Sequence, residues 1–175
     1  MADQRIQYSE EMVGANHATK SDTLNRLALI DHNNDGTHKN PSFHVHNNAV
    51  DLTLITGAGT VLTWSTAEFD THTGFSSTKY TPSVAGKYLL SAAVTIKTPQ
   101  STLISVSIRK NGTVYKSCRF DGTGTTNKTL NVTCVASANG TTDYFDVSVY
   151  QESGSSKSTD GTASETYYSG CRIDG

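Results

Sequence analysis

The stretch "GFSSTKYTPSVAGKYLLSAAVTIKT", from Gly74 to Thr98, decides the fold. It begins with polar residues and turns at Pro82 and Gly86. After the turn, every second position carries an apolar side chain. One parity carries the apolar residues Tyr88, Leu90, Ala92, Val94 and Ile96. Alternation with a period of two predicts a strand with one buried face, because successive side chains of a strand point to opposite sides. The fold therefore depends on whether the rest of the chain alternates in the same way.

The same alternation recurs from Pro41 to the end of the chain. It is clearest in "SFHVHNNAV" (42–50), "STLISVSIRKNGTVYKSCRF" (101–120), "NKTLNVTCVASANGTTDYFDVSVYQ" (127–151) and "TYYSGCRI" (166–173). Asn111-Gly112 is a hairpin signal, since both positions of a type I′ turn need positive φ, and Asn139-Gly140 predicts a further turn. About eight strands at a spacing of about 10–15 residues predict an all-β antiparallel jelly-roll sandwich over residues 41–175.

The inward parity of these strands predicts the core. Its members are large apolar residues at alternate positions: Phe43, Trp64, Tyr88, Leu90, Val94, Ile104, Val106, Ile108, Leu130, Val132, Phe145, Val147, Val149 and Ile173. Cys134 and Cys171 share this parity and are predicted to be small buried hydrophobes. Cys118 fits either face. A Cys118–Cys134 disulfide is disfavoured in a reducing compartment.

Composition excludes several classes of protein. The chain has 14 Lys and Arg against 16 Asp and Glu and a net charge of −2, so it lacks the basic balance of a nucleic-acid binder. No apolar run reaches the roughly 20 residues of a membrane span. The N-terminus has no charged-then-apolar signal pattern, so we expect synthesis and retention in the cytoplasm.

Residues 1–40 form a separate N-terminal leader in this interpretation. "KSDTLNRLALIDHNNDG" (20–36) predicts a short helix capped by Ser21 or Asp22. A helix of about ten residues is marginal alone in water. The leader is therefore predicted to pack on its own domain, on another copy or on a larger assembly, as an attachment segment or trimer stalk.

Five landmarks give residues 41–173 a resemblance to the C1q-like jelly roll of the complement globular head and the tumour-necrosis-factor superfamily. They are "SFHVH" (42–46), "AEFDTHTGF" (67–75), "YTPSVAGKYLLSAAV" (80–94), "VSIRKNG" (106–112) and "YYSGCRI" (167–173). The chain departs from the family at Thr142-Asp143, where Gly-Asp is usual, and at Cys171, where an aromatic is common. The resemblance implies a compact homotrimer that recognises other molecules and is not an enzyme.

The leader carries a second resemblance. "EEMVGANHATKSDTLNR" (10–26) and "HNNDGTHK" (32–39) are similar to the leaders of phage and prophage tail-fibre proteins. This implies a virion protein, a tail-fibre or decoration component made in the bacterial cytoplasm. Its leader would bind other virion proteins, and its head would recognise a host-surface glycan or protein. The alternative is a bacterial C1q-like binding module that acts outside any virion.

Two metal sites are candidates, although no cofactor is required. His44 and His46 lie two apart on a strand, so three copies around a threefold axis would present six imidazoles to a transition metal. Asp31, Asn33 and Asp35 match the first half of a calcium loop. Its twelfth position is Ser42 instead of Glu, and the turn that ends a helix explains the same letters.

Recognition is assigned to two polar loops, "DGTGTTNK" (121–128) and "ESGSSKSTDGTAS" (152–164). Rigid strands can hold such loops at one end of a sandwich. The candidate ligand-binding residues are Asp121, Thr125, Asn127, Lys128, Ser155, Lys157 and Asp160. Each loop also fits a simple solvated connector. No nucleophile elbow or general acid–base pair occurs, so no catalytic residue is assigned.

Overall fold

The computed structural model describes residues 40–97, 103–122 and 125–173. The chain divides into two units, Met1–Lys39 and Asn40–Gly175, and all the described residues belong to the second. The helix expected within residues 20–36 and the calcium candidates Asp31, Asn33 and Asp35 lie outside the described residues. Within the described ranges, no helix is long and apolar enough to cross a membrane.

The described residues form thirteen strands. They are β1 (Ser42–His46), β2 (Thr53–Leu54), β3 (Thr60–Val61), β4 (Thr66–Asp70), β5 (Phe75–Ser76), β6 (Lys79–Tyr80), β7 (Gly86–Ile96), β8 (Leu103–Lys110), β9 (Thr113–Asp121), β10 (Lys128–Ala138), β11 (Phe145–Gln151), β12 (Lys157–Ser158) and β13 (Tyr167–Arg172). Eight of them have five or more residues, which matches the expected number. The other five have two residues each, too few for an alternating pattern to reveal.

Two antiparallel sheets make up a sandwich, as expected from the sequence. The front sheet has the order β10-β7-β13-β1-β4, and the back sheet has the order β5-β6-β11-β8-β9 with β3 also paired to β11. A two-stranded ribbon, β12-β2, joins two of the connecting loops. The strand of the opening stretch, β7, is eleven residues long and has a partner on each side, β10 and β13.

The first and last long strands are neighbours in the front sheet. Ser42 of β1 lies opposite Cys171 of β13. Next to this pair, the Arg172 N–H donates to the Pro41 carbonyl at 2.9 Å. The described chain therefore enters and leaves the sandwich at the same end, which we call the Asn40 end.

The core between the sheets contains thirteen of the fourteen residues predicted for it, all of them buried. In β7 the expected parity, from Tyr88 to Ile96, is buried, and Ala93 and Thr95 of the other parity are buried as well. The Asn111-Gly112 hairpin is also confirmed, with φ of 52° and 79° at its two positions. These positive angles are those of the type I′ turn that Asn-Gly predicts.

The prediction for the last strand is wrong at Ile173 and Cys171. Ile173 is 50% exposed and Cys171 is half-buried. Tyr168 points into the core, and Gly170 takes the next inward position. A Cβ on Gly170 would lie 2.6 Å from Leu90 Cδ2 and 2.7 Å from Phe43 Cε1. Because a glycine gives no hydrophobic signal, the sequence pattern assigned the wrong parity to this strand.

Candidate interaction surface

The front sheet presents an outward surface that carries no formal charge over most of its area. Cross-strand register arranges its side chains in three rows, which we call the outer face: Val135–Leu89–Cys171–Ser42, Thr133–Ser91–Ser169–His44–Phe69 and Asn131–Ala93–Tyr167–His46. No Asp, Glu, Lys or Arg belongs to these rows. Charged residues lie around them, at Lys87, Glu68 and Glu165. A solvated sheet face normally mixes charges, and their depletion is typical of the core of an interface.

Large apolar side chains are exposed on and beside the outer face. Phe69 and Val135 are each 47% exposed and Leu89 is 39% exposed, and Ile173 lies at its margin. Between them is an open apolar cup of about 250 Å³, whose outward lining includes Phe69, Leu89 and Cys171. Clustered exposure of this kind marks interaction sites on soluble proteins.

An aromatic ladder crosses the same face. The His44 ring stacks between Tyr167, at a centroid distance of 5.5 Å, and Phe69, at 6.1 Å. The ladder continues to His46, whose ring centroid is 6.4 Å from that of His44. Aromatic side chains held in this way lose little conformational entropy on binding, which is why they are common anchors of interfaces.

The two histidines share a face, as the sequence predicts, but they differ in their surroundings. His44 is half-buried, whereas His46 is 6% exposed. The Asn48 N–H donates to His46 Nδ1 at 3.0 Å, and His46 Nε2 lies 3.6 Å from Glu68 Oε1. A neutral imidazole has one N–H and one lone pair, so this lone pair is already in use. Within one chain, only His44 of the pair is then available to a metal.

A threefold metal site at His44 and His46 stays a prediction. Among residues 40–97, 103–122 and 125–173, no group of three His, Cys, Asp or Glu side chains is placed to hold a metal ion. A site built from His44 of several copies would depend on their arrangement around an axis.

One edge of the sandwich adds apolar surface next to the outer face. Strand β9 of the back sheet and β10 of the front sheet lie side by side at this edge, where the Tyr115 hydroxyl donates to the Val135 carbonyl at 3.2 Å. Val114 and Tyr115 are both exposed there. Apolar surface thus continues from Leu89 and Val135 around the edge.

The two loops that the sequence assigns to recognition lie at the same end of the sandwich. Lys128 pairs with Ile96 on one side of β7, and Thr159 forms a bridge to Ile96 on the other. This end is opposite the Asn40 end, because β7 runs from Gly86, beside Ala138, to Ile96. We call it the loop end.

The candidate ligand-binding residues differ in the contacts that they make within the chain. Asp121 accepts two hydrogen bonds from the Arg119 guanidinium, at 2.9 and 3.0 Å. The Lys128 ammonium lies 5.4 Å from the centre of the Phe120 ring. Lys157 lies opposite Leu54 in the β12-β2 ribbon. Thr125, Asn127 and Ser155 are exposed, and the Ser155 carbonyl accepts hydrogen bonds from the Gln151 amide at 3.0 Å and the Ser153 hydroxyl at 2.7 Å.

Asp160 is the candidate held most firmly. Its carboxylate accepts hydrogen bonds from the Thr162 hydroxyl at 2.7 Å and the Thr162 N–H at 3.1 Å, and these bonds lower the pKa of Asp160. Asp51 beside it binds the Lys97 ammonium at 2.6 Å and the Gly161 N–H at 2.9 Å, and the pKa of Asp51 is lowered in the same way. These carboxylates organise the loops, so the exposed polar residues remain the better candidates for recognition.

The loop end has a contact that the sequence did not reveal. Residues 48–52 and 158–162 lie side by side, and we call them together the loop platform. The Ala49 N–H donates to the Gly161 carbonyl at 2.8 Å, and the Thr159 N–H donates to the Leu52 carbonyl at 2.9 Å. Residues far apart in sequence thus form one surface.

All three cysteines are free. Cys134 is buried, as predicted, and burial raises the pKa of its thiol. Cys118 packs partly against the core from β9, in the other sheet from Cys134. The absence of a Cys118–Cys134 disulfide agrees with the preferred alternative.

Comparison with known proteins identifies the fold. No protein-family model matches the sequence, and no curated protein matches it either. Murine APRIL, in its crystal structure at pH 5.0, is similar with a TM-score of 0.61 and 11% identity over 77% of this chain and 100% of that chain. The globular domain of zebrafish complement 1qA protein gives 0.56 and 13% over 77% and 98%. Eiger TNF from S. frugiperda gives 0.54 and 12% over 76% and 92%. The expected jelly-roll fold of C1q and tumour-necrosis-factor proteins is therefore confirmed.

Proposed function

We propose that this chain is a non-enzymatic binding protein that works as a homotrimer in a phage particle, as a tail-fibre or decoration component. Its outer face binds other copies of the chain, its leader binds other virion proteins, and its loop end recognises a glycan or protein of the host surface. The particle would be its final location, after synthesis in the bacterial cytoplasm.

The outer face is the observation that carries the proposal. Its three rows contain no formal charge, and Phe69, Leu89 and Val135 are exposed on it. Exposed clustered apolar surface costs free energy in water, at roughly 25 cal/mol per Å² of apolar area. Another copy of the chain is the partner that fits this face best. The apolar edge of one copy, at Val114 and Tyr115, can cover the outer face of a second copy, while the outer face of the first is covered by the edge of a third. Such head-to-tail contacts close into a ring when the rotation between successive copies closes, as threefold symmetry requires.

The number of three copies rests on the resemblance to C1q-like heads, which are compact homotrimers. The fold similarity to complement 1qA and Eiger TNF supports the same geometry. The virion assignment rests on the resemblance of residues 10–39 to tail-fibre leaders.

The positions of the two ends support the division of roles. The leader joins the jelly roll at the Asn40 end, and the candidate recognition residues lie at the loop end. A trimer of parallel heads would then hold the particle at one end and present Thr125, Asn127 and Ser155 of each copy at the other.

Light scattering on the purified full chain tests the assembly. We expect a mass three times the 18.8 kDa of one chain at micromolar concentration. A single-chain mass would contradict the proposal.

Immunogold labelling of purified phage particles with an antibody against this chain tests the virion role. We expect label at one defined position on the particle. Label absent from particles, with the trimer found free, would favour the bacterial binding module instead.

A further inference from the structure

One residue of the outer face, His46, and one residue at its border, Thr95, hold the loop platform directly. His46 accepts the Asn48 N–H at 3.0 Å, at the point where the chain leaves β1. Asn48 and Ala49 follow with positive φ of 47° and 67°, a conformation that non-glycine residues adopt only when their surroundings impose it. The Ala49 N–H then donates to Gly161. His46 is therefore a positioning residue for the first half of the platform.

Thr95 does the same for the second half. Its carbonyl accepts the Asp160 N–H at 2.7 Å, and its N–H donates to the Thr166 hydroxyl at 3.2 Å. The Thr95 hydroxyl oxygen lies 2.9 Å from Glu165 Oε2 and 2.6 Å from the Thr129 hydroxyl oxygen. Thr95 is buried at the border of the outer face, next to the row that contains Tyr167 and His46.

We infer that self-association through the outer face orders the loop platform, with His46 and Thr95 as the residues that transmit the effect. The inference rests on the proposed function, since it requires the outer face to be covered by another copy. It adds that assembly prepares the recognition end of the head.

The physical reason is the removal of water. His46 and Thr95 are buried, but three of their hydrogen-bond partners, Asn48, Thr129 and Glu165, are exposed, so water competes for the same donors and acceptors. Covering the outer face lowers the local dielectric constant and strengthens these bonds. Because association then bears part of the entropic cost of ordering the platform, a ligand that binds the platform meets a smaller cost. By linkage, the same ligand must strengthen association by the same factor.

Amide hydrogen exchange in the full chain, assembled and dissociated, tests the inference. The dissociated form is obtained with Leu89→Asp and, independently, by dilution of the wild type. We expect the amides of Ala49, Asp160 and Gly161 to exchange about ten-fold faster in the dissociated form, within the usual range of coupling between sites. The matched control is the set of amides at Thr141, Thr142 and Asp143, which bind Asn139 Oδ1 at the opposite end and should not change.

Two variants test the role of His46 in the assembled protein. His46→Asn keeps an acceptor near the position of Nδ1, and His46→Ala removes it. We expect faster exchange at Asn48 and Ala49 in His46→Ala, and near wild-type exchange in His46→Asn, each measured at a concentration at which light scattering shows that variant to be trimeric.

The outcomes separate the inference from the proposed function. A wild type that is monomeric at all concentrations overturns both. A trimer that dissociates with no change in exchange at the platform, or with an equal change at Thr141–Asp143, overturns the inference alone. Equal exchange in His46→Ala and the wild type removes His46 from the coupling.

Discussion

Leu89 of β7 lies directly opposite Val135 of β10, and both side chains are exposed, whereas their neighbours Leu90 and Ala136 are buried. One pair of strands thus presents apolar residues on both of its faces. The inner set closes the core. The outer set has no partner within the described part of the chain, and this unpaired apolar row is what distinguishes the front sheet from an ordinary solvated one.

Leu89→Asp should dissociate the trimer without unfolding the chain. The side chain is exposed in the single chain, so the new charge stays solvated until another copy approaches, and burying it there is unfavourable. We expect a single-chain mass by light scattering and an unchanged circular dichroism spectrum. Ser76→Asp, at an exposed position of β5 in the back sheet, should keep the mass of the wild type. A Leu89→Asp protein that remains trimeric would exclude the outer face as the interface.

Leu90→Ala should lower the free energy of unfolding by about 2–5 kcal/mol, because it leaves a cavity in a closely packed core. Leu90 is fully buried, and its side chain and the Phe43 ring both lie against Gly170. Val50→Ala, at a side chain 57% exposed, is the matched control and should change it by less than about 0.5 kcal/mol. Urea denaturation at one fixed protein concentration measures both. Similar losses for the two variants would contradict the burial of Leu90.

Gly161→Ala should disrupt the loop platform. A Cβ at this position would lie 2.1 Å from the Val50 carbonyl oxygen, and the contact is with backbone, which cannot turn away as a side chain can. We expect a loss of about 1–3 kcal/mol, as for other overpacked sites, together with faster amide exchange at Ala49. Gly59→Ala, where the added Cβ meets nothing within 4 Å, is the control. Wild-type stability in Gly161→Ala would show that the two segments lie farther apart.

Asp143→Asn should make stability less sensitive to acid. The Asn111 amide, the Lys110 ammonium and the Asn139 N–H all donate to the Asp143 carboxylate and lower its pKa in the folded chain. The stabilisation is therefore fully present above the ordinary pKa of Asp, about 3.9, and is lost as pH falls through the lower folded value. Melting temperatures from about pH 5 to about pH 2 should fall less in the variant than in the wild type. Parallel curves would contradict this.

The sandwich could be predicted from the sequence because, in a long strand with one buried face, the alternation of apolar and polar residues shows which side chains point inward. Tyr88 to Ile96 is an example, and the hairpin at Asn111-Gly112 is another, where the turn chemistry is explicit. Alternation gives the wrong inward residues at the last strand. Gly170 occupies an inward position but has no apolar side chain, so the pattern favours Cys171 and Ile173 instead.

The candidate surfaces were harder to predict because they are properties of neighbouring strands. In the sequence, Leu89 is a single large apolar residue on the parity that also carries Ser91 and Lys97, and a single such exception needs no explanation. It becomes informative only when the register places it between Val135 and Cys171. The loop platform likewise joins Ala49 to Gly161, more than 100 residues apart, through backbone hydrogen bonds that no side-chain pattern encodes.

The adjacency of β1 and β13 has a practical consequence for engineering. Because Pro41 and Arg172 are joined by a hydrogen bond, the first and last strands of the jelly roll begin and end side by side. The jelly roll can therefore be spliced as a cassette into one surface loop of a carrier protein, with both junctions only a few ångströms apart. The carrier would not need to be cut in two or stretched around the insert, and the loop end would stay free for display.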